Sequence, residues 1–186
     1  MELLDWVSAT AGYGFLTAYD RFVAPLSPSE QDRFFREGEP VARLYGVESP
    51  LRSVADFHRM ADKLAPRFEP HPIVGESLAI IQSGQAAPGA PRFLHRALAR
   101  ASVSLLPNSA RTALELGPEY DLSRFDRLSL KTAGRLADRT PVLSSPPCRA
   151  SVRLGLPANF LYRSPAAQAR LLEQAGLGEP TLALAA

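Results

Sequence analysis

Three histidines, His58, His71 and His95, are the chain's only imidazoles, and they stand 13 and 24 residues apart. Helical metal sites place imidazoles four residues apart or in an HExxH run, so this spacing predicts surface or cap residues and no metal site. Ser77, in Gly75-Glu76-Ser77-Leu78-Ala79, lacks the second glycine of a nucleophile elbow. Gly12-Tyr13-Gly14 lacks the third glycine and the preceding strand of a dinucleotide-binding loop. The acid pairs Glu37/Glu39 and Glu119/Asp121 are two residues apart, which on a helix turns the carboxylates away from each other, so solvated charge is expected there. Cys148 is the single cysteine, which excludes an intrachain disulfide or a cysteine-built zinc site. It follows Pro146-Pro147 in a loop-like stretch and reads as an inert thiol of a protein in a reducing, cytoplasmic setting.

Charge offers one further constellation. Residues 77–114 hold Arg92, Arg96, Arg100 and Arg111 and no acid, whereas the whole chain, with 21 basic and 19 acidic residues, carries only +2. So small a surplus gives no bulk field to recruit nucleic acid. Arg92, Arg96 and Arg100 share one helix face, which is either a solvated outer surface or a docking face for an anionic partner or membrane surface.

The elements that must position these residues are helical. At 186 residues, 46% hydrophobic and 22% charged, the chain suits a globular fold. Apolar residues recur with helical period and almost never alternate, which predicts an all-α bundle around a central apolar helix within residues 3–24. That helix is apolar nearly all round, from Leu3, Trp6 and Val7 to Phe15, Ala18 and Phe22, and so belongs in a core. The start has no basic leader or cleavage site, and the uncharged run Trp6–Tyr19 is shorter than the roughly 20 residues that span a bilayer. Ser27-Pro28-Ser29-Glu30 is a capping box opening a helix at Pro28, which Gly38 and Pro40 are expected to kink or end before Val41. Ser53 and Asp56 open a helix through Ala65 with Val54, Phe57, Met60, Ala61 and Leu64 inward. Further helices are predicted over Val74–Gln82, Arg92–Leu106, Ser109–Leu116 and Ser123–Asp138, with a Gly/Ala/Pro linker at Gly84–Pro91. In Arg92–Leu106 the inner face is expected to be Leu94, Leu98, Ala101 and Leu105. Residues 1–140 then form the domain, and 141–186 a proline-interrupted tail with one weak helix at Ala166–Ala175.

Leu4-Asp5-Trp6-Val7-Ser8-Ala9-Thr10 followed by Tyr19-Asp20-Arg21-Phe22-Val23-Ala24-Pro25-Leu26-Ser27 resembles the second half of the MpaB-like oxygenase family, which includes the rubber oxygenase (latex clearing protein) catalytic domain. Leu44-Tyr45-Gly46-Val47 and Leu105-Leu106-Pro107-Asn108 continue the likeness, which covers roughly Leu3 to Asp138. The resemblance implies an all-α oxidoreductase in which b-type haem activates dioxygen on an apolar olefinic substrate. It places Trp6, Ser8, Thr10, Tyr13 and Phe15 beside the pocket, shaping substrate access. The family's Arg-x-x-x-Thr helix and its iron-holding histidine precede the Trp-Val segment, and nothing here corresponds to them. Where most members have a histidine two residues after the tryptophan this chain has Ser8, and Gly14 stands for an aspartate. The implied molecule is therefore the C-terminal part of an N-terminally truncated domain. It is weakly active or inactive alone, does not bind haem by itself, and self-associates through the apolar surface of residues 3–24. The other reading is a non-enzymatic helical module that holds an apolar ligand or docks through its arginines.

Overall fold

The computed structural model describes residues 2–85 and 91–177, so most of the Gly84–Pro91 linker lies outside the described residues. Among those described there are nine α-helices and three short 3-10 turns, and no strand. The chain divides into two compact units, Met1–Gly134 and Arg135–Ala186.

The first unit begins with α1 (Glu2–Phe22). Its threonines turn their hydroxyls back on the helix, Thr10 donating to Trp6 O at 3.0 Å and Thr17 to Tyr13 O at 2.6 Å, so neither demands a polar neighbour. Ala9, Leu16 and Phe22 are buried, while Leu3 (73% exposed), Val7 (54%) and Phe15 (74%) leave an apolar stripe on the surface. α2 (Pro28–Leu44) carries the predicted capping box, with Ser27 N–H donating to Glu30 Oε2 at 2.8 Å and Glu30 N–H to Ser27 Oγ at 3.4 Å.

Of the expected kink or end at Gly38 and Pro40, the end does not occur: α2 runs through to Leu44. Pro40 and Arg36, whose carbonyl loses its donor, are both exposed, so water can take the missing bond. Glu39 braces the same turn, accepting from Arg43 at 2.8 Å and from Arg52 at 3.2 Å. α3 (Val54–Leu64) is capped by Ser53 Oγ, which accepts from Asp56 N–H at 3.1 Å, and buries Phe57, Ala61 and Leu64.

α4 (Pro72–Ser83) and α5 (Arg92–Ser104) form the most extensive helix pair. Here the single inner face predicted for α5 is replaced by two. Ala99 and Val103 pack with Leu78 and Leu116, whereas Ala97 and Ala101 pack with Phe22 and Leu130. Alanines let neighbours approach from both sides, so α5 is clamped between two clusters, and Leu98 stays 38% exposed. His95, expected at the surface, is buried at 6% exposure. It lies against Gly84, whose φ of +83° and lack of a β-carbon both suit the site; a β-carbon there would be 2.3 Å from His95 Cε1.

α6 (Asn108–Ala113) is shorter than predicted because the chain turns off it at Glu115. Leu116 N–H donates to Arg111 O and Glu115 N–H to Thr112 O, both at 3.1 Å, and Glu115 takes φ +54°. Glycine would relieve the left-handed strain and give back part of that gain as unfolded-chain freedom. Glu115→Gly is therefore expected to stabilise by about 0.5 kcal/mol, read as a higher urea midpoint at unchanged slope. α7 (Arg124–Arg139) follows. A β-carbon on Gly134 would sit 2.8 Å from Phe22 O, so this glycine sets how closely the end of α1 approaches α7.

In the second unit, α8 (Pro146–Arg153) occupies a stretch read from the sequence as loop, and α9 (Pro165–Gln174) matches the weak helix. Pro146 and Pro147 start α8, where their missing N–H groups have no helical partner to lose. Cys148 is thus helical, and at 1% exposure it is buried. Among the described residues no helix is long and apolar enough to cross a membrane.

Candidate functional site

Along α1 lies an apolar groove of about 460 Å³, walled by Trp6, Thr10, Tyr13, Gly14 and Phe15, by Phe57 of α3, by the end of α5 at Ser102, Leu105 and Leu106, and by Ala110 of α6. That volume falls within the roughly 300–1,000 Å³ of small-molecule sites. Four of the five residues singled out from the sequence, Trp6, Thr10, Tyr13 and Phe15, line it. Ser8 does not. Two residues on from Trp6 is about 200° around a helix, and Ser8 lines a smaller cavity on the other flank of α1, of about 120 Å³, with Asp5, Phe34 and Phe35.

The wall is largely apolar, and the Thr10 and Ser102 hydroxyls are spent locally. Thr10 donates to Trp6 O and Val7 O, each at 3.0 Å, and Ser102 donates to Ala99 O at 2.8 Å. The floor is aromatic: Phe57 lies flat against Tyr13, with ring centres 3.8 Å apart, and is stacked on Trp6 at 5.9 Å. Trp6 in turn meets Phe68 at 5.5 Å. Burial pushes the Tyr13 phenol above its ordinary pKa, with Arg21 pulling weakly the other way, so the ring stays neutral. Phe57, Leu105, Leu106 and Ala110 were not singled out from the sequence. Phe57 stood on the inner face of a capped helix, Leu105 on the expected inner face of Arg92–Leu106 and Leu105-Leu106 in the family-like run, whereas Ala110 left no signal.

Among the described residues, the lining offers no imidazole, thiol, thioether or carboxylate. His58 is exposed on α3 and meets the Tyr13 ring edge-on at 5.6 Å without entering the groove wall. His71 caps α4, its Nδ1 accepting from Ile73 N–H at 3.2 Å. His95 lies between α4 and α5. No group of three or more potential metal ligands occurs among the described residues.

Arg100 proves to be engaged. Its Nη1 donates to Asp126 Oδ2 at 2.9 Å, and Asp126 also accepts from Ser123 N–H at 3.1 Å. Burial pushes the Asp126 carboxyl up, but Arg100 and the Ser123 donors outweigh it and hold the group below the usual carboxylate range. The arginine face expected at Arg92, Arg96 and Arg100 therefore has one member tied down.

The family model for the catalytic domain of ER-bound oxygenase mpaB/B'/rubber oxygenase matches residues 1–139. No curated protein and no solved structure gives a significant match. The matched stretch takes in α1, α3, α5 and α6, and so every wall of the groove lies within it. By that span the chain belongs to the MpaB/rubber oxygenase catalytic-domain family.

Proposed function

We propose that this chain supplies the substrate-holding part of a haem-dependent oxygenase domain, receiving an apolar, olefinic molecule in the groove along α1, and that it does not hold haem iron by itself. The observation that carries the reading is the composition of the wall, mostly aromatic and aliphatic, with the Thr10 and Ser102 hydroxyls bonded to their own helices. Haem iron takes an imidazole, thiolate, thioether or phenolate as axial ligand. Of these the described residues of the lining have only the Tyr13 phenol, which is held neutral and flat against Phe57, so the groove does not fit the iron. Dioxygen chemistry is the haem's contribution in this family; orientation and exclusion of water from the apolar substrate are the groove's.

Trp6 is the only tryptophan and lines the groove, so its emission reports occupancy directly. A short polyisoprenoid hydrocarbon is expected to change that emission saturably. Gly14 lines the groove, and a β-carbon there would meet nothing within 4 Å. Gly14→Leu should therefore fill the groove and weaken binding at least tenfold, while raising helix stability by about 0.5–1 kcal/mol. Affinity and stability move in opposite directions only if the groove is the site. Equal binding by Gly14→Leu would remove the groove from the reading. Titration with haem is expected to give no stoichiometric Soret band. A tight one-to-one haem complex, abolished by changing His58, His71 or His95 to Ala, would overturn the iron part.

The donor-poor wall also favours a second reading, in which the chain holds an apolar ligand without catalysing anything. Neither reading expects cleavage from this chain with free haem; dioxygen-dependent cleavage of the bound olefin when a haem-holding upstream half of such a domain is supplied in trans separates the two.

A further inference from the structure

We propose that α5 and α7 together form a docking surface for an anionic lipid bilayer. Phe93, Phe125 and Leu128 enter the headgroup boundary, and Arg92, Arg96 and Arg124 engage the lipid charges.

The two helices are joined through their side chains. Ala97 and Ala101 share a buried cluster with Leu130, Arg100 pairs with Asp126 at 2.9 Å, and the rings of Phe93 and Phe125 meet at 5.7 Å. On the outer side of that seam Phe93 is 48% exposed, Phe125 62% and Leu128 67%. Single exposed apolar residues are ordinary, but two touching phenylalanines one helical turn from an exposed leucine form a patch. Arg92 and Arg96 flank Phe93 on α5, and Arg124 adjoins Phe125 at the start of α7; all three arginines are exposed.

Charge decides the partner. α5 has three arginines and no acid. From Arg124 to Lys131 the sole acid of α7 is Asp126, which is 6% exposed and already neutralised by Arg100. The ion pair that ties down the partly exposed Arg100 thus also neutralises the only negative charge of this stretch. What remains outside is apolar side chains ringed by cations, the pattern of surfaces that seat roughly 5–10 Å deep at an anionic interface. A nucleic-acid footprint would need a field spread along many phosphates, and a net charge of +2 does not supply one.

The test is co-sedimentation of the full chain with vesicles of phosphatidylcholine alone and with added phosphatidylserine. Binding is expected only with phosphatidylserine and should weaken with salt. Each of Arg92→Gln, Arg96→Gln and Arg124→Gln should lower affinity about fivefold. The double variant Phe93→Ser/Phe125→Ser should lower it at least tenfold at unchanged charge, with unchanged far-UV circular dichroism showing that it folds. A fluorophore on Leu128→Cys, specific because native Cys148 is buried, should shift to the blue on vesicle addition. Absence of binding, equal binding to phosphatidylcholine alone, or binding insensitive to the phenylalanines would overturn the proposal. So would displacement by RNA with the same arginine dependence and no phenylalanine dependence.

Discussion

Phe57→Ala is expected to cost about 3–5 kcal/mol, enough to threaten the folded state of a domain this size. The ring is 2% exposed and belongs to the cluster of Ala9, Leu16, Phe35, Leu51 and Ala61 that joins α1, α2 and α3. Truncation removes the transfer energy of the ring and leaves a cavity that the flat stack of Tyr13 and Trp6 cannot close, since both are fixed to α1. Because the same ring floors the groove, Trp6 should gain water contact and its emission should move to the red even where the variant still folds. Phe57→Leu keeps most of the volume and should cost about half as much. Urea unfolding followed by far-UV circular dichroism gives the stability, and a loss under about 1 kcal/mol for the alanine variant would contradict the packing described.

What the sequence made legible follows from how local each signal is. Ser27-Pro28-Ser29-Glu30, Ser53 with Asp56, and the apolar run of α1 each announce a helix within a few residues, and each is where it was expected. Two-sided burial is not local. The clamp on α5 sets α4, its neighbour in the chain, against Phe22 of α1 and Leu130 of α7 from distant parts, so the period of Leu94, Leu98, Ala101 and Leu105 gave one face where the structure has two. Proline misled in both directions. At Pro40 an exposed turn tolerated it, and at Pro146 it began a helix instead of marking a loop. The groove was half legible: residues on α1 come together by helical spacing, but Leu105, Leu106 and Ala110 join them only through tertiary packing, and Ser8 departs because two residues is over half a turn.

Asp126→Ala is expected to cost about 3 kcal/mol, because it removes the carboxylate that accepts from Ser123 N–H in the capping box of α7 and leaves the Arg100 guanidinium without its partner at a half-buried seam. Asp126→Asn keeps an acceptor for Ser123 N–H and should cost less, about 1–2 kcal/mol. The sign of the pH dependence follows from the depressed folded-state pKa. Above the unfolded value, near pH 3.9 for an aspartate, the group is ionised in both states and its stabilising contribution is fully present. As pH falls through the folded value the unfolded chain has already bound the proton, so folding must release one or protonate the pair, and the contribution disappears. Glu30, Glu39 and Asp56 are also held low, so the acid limb of the native protein sums several groups. The difference between native chain and Asp126→Asn isolates one of them. It should be flat above about pH 5 and shrink steadily below about pH 4. A gap that stays constant down to pH 2 would mean that Asp126 acts through shape alone. A double-mutant cycle with Arg100→Gln should return a coupling of about 1–3 kcal/mol, and a value near zero would place the cost in the Ser123 cap instead of the ion pair.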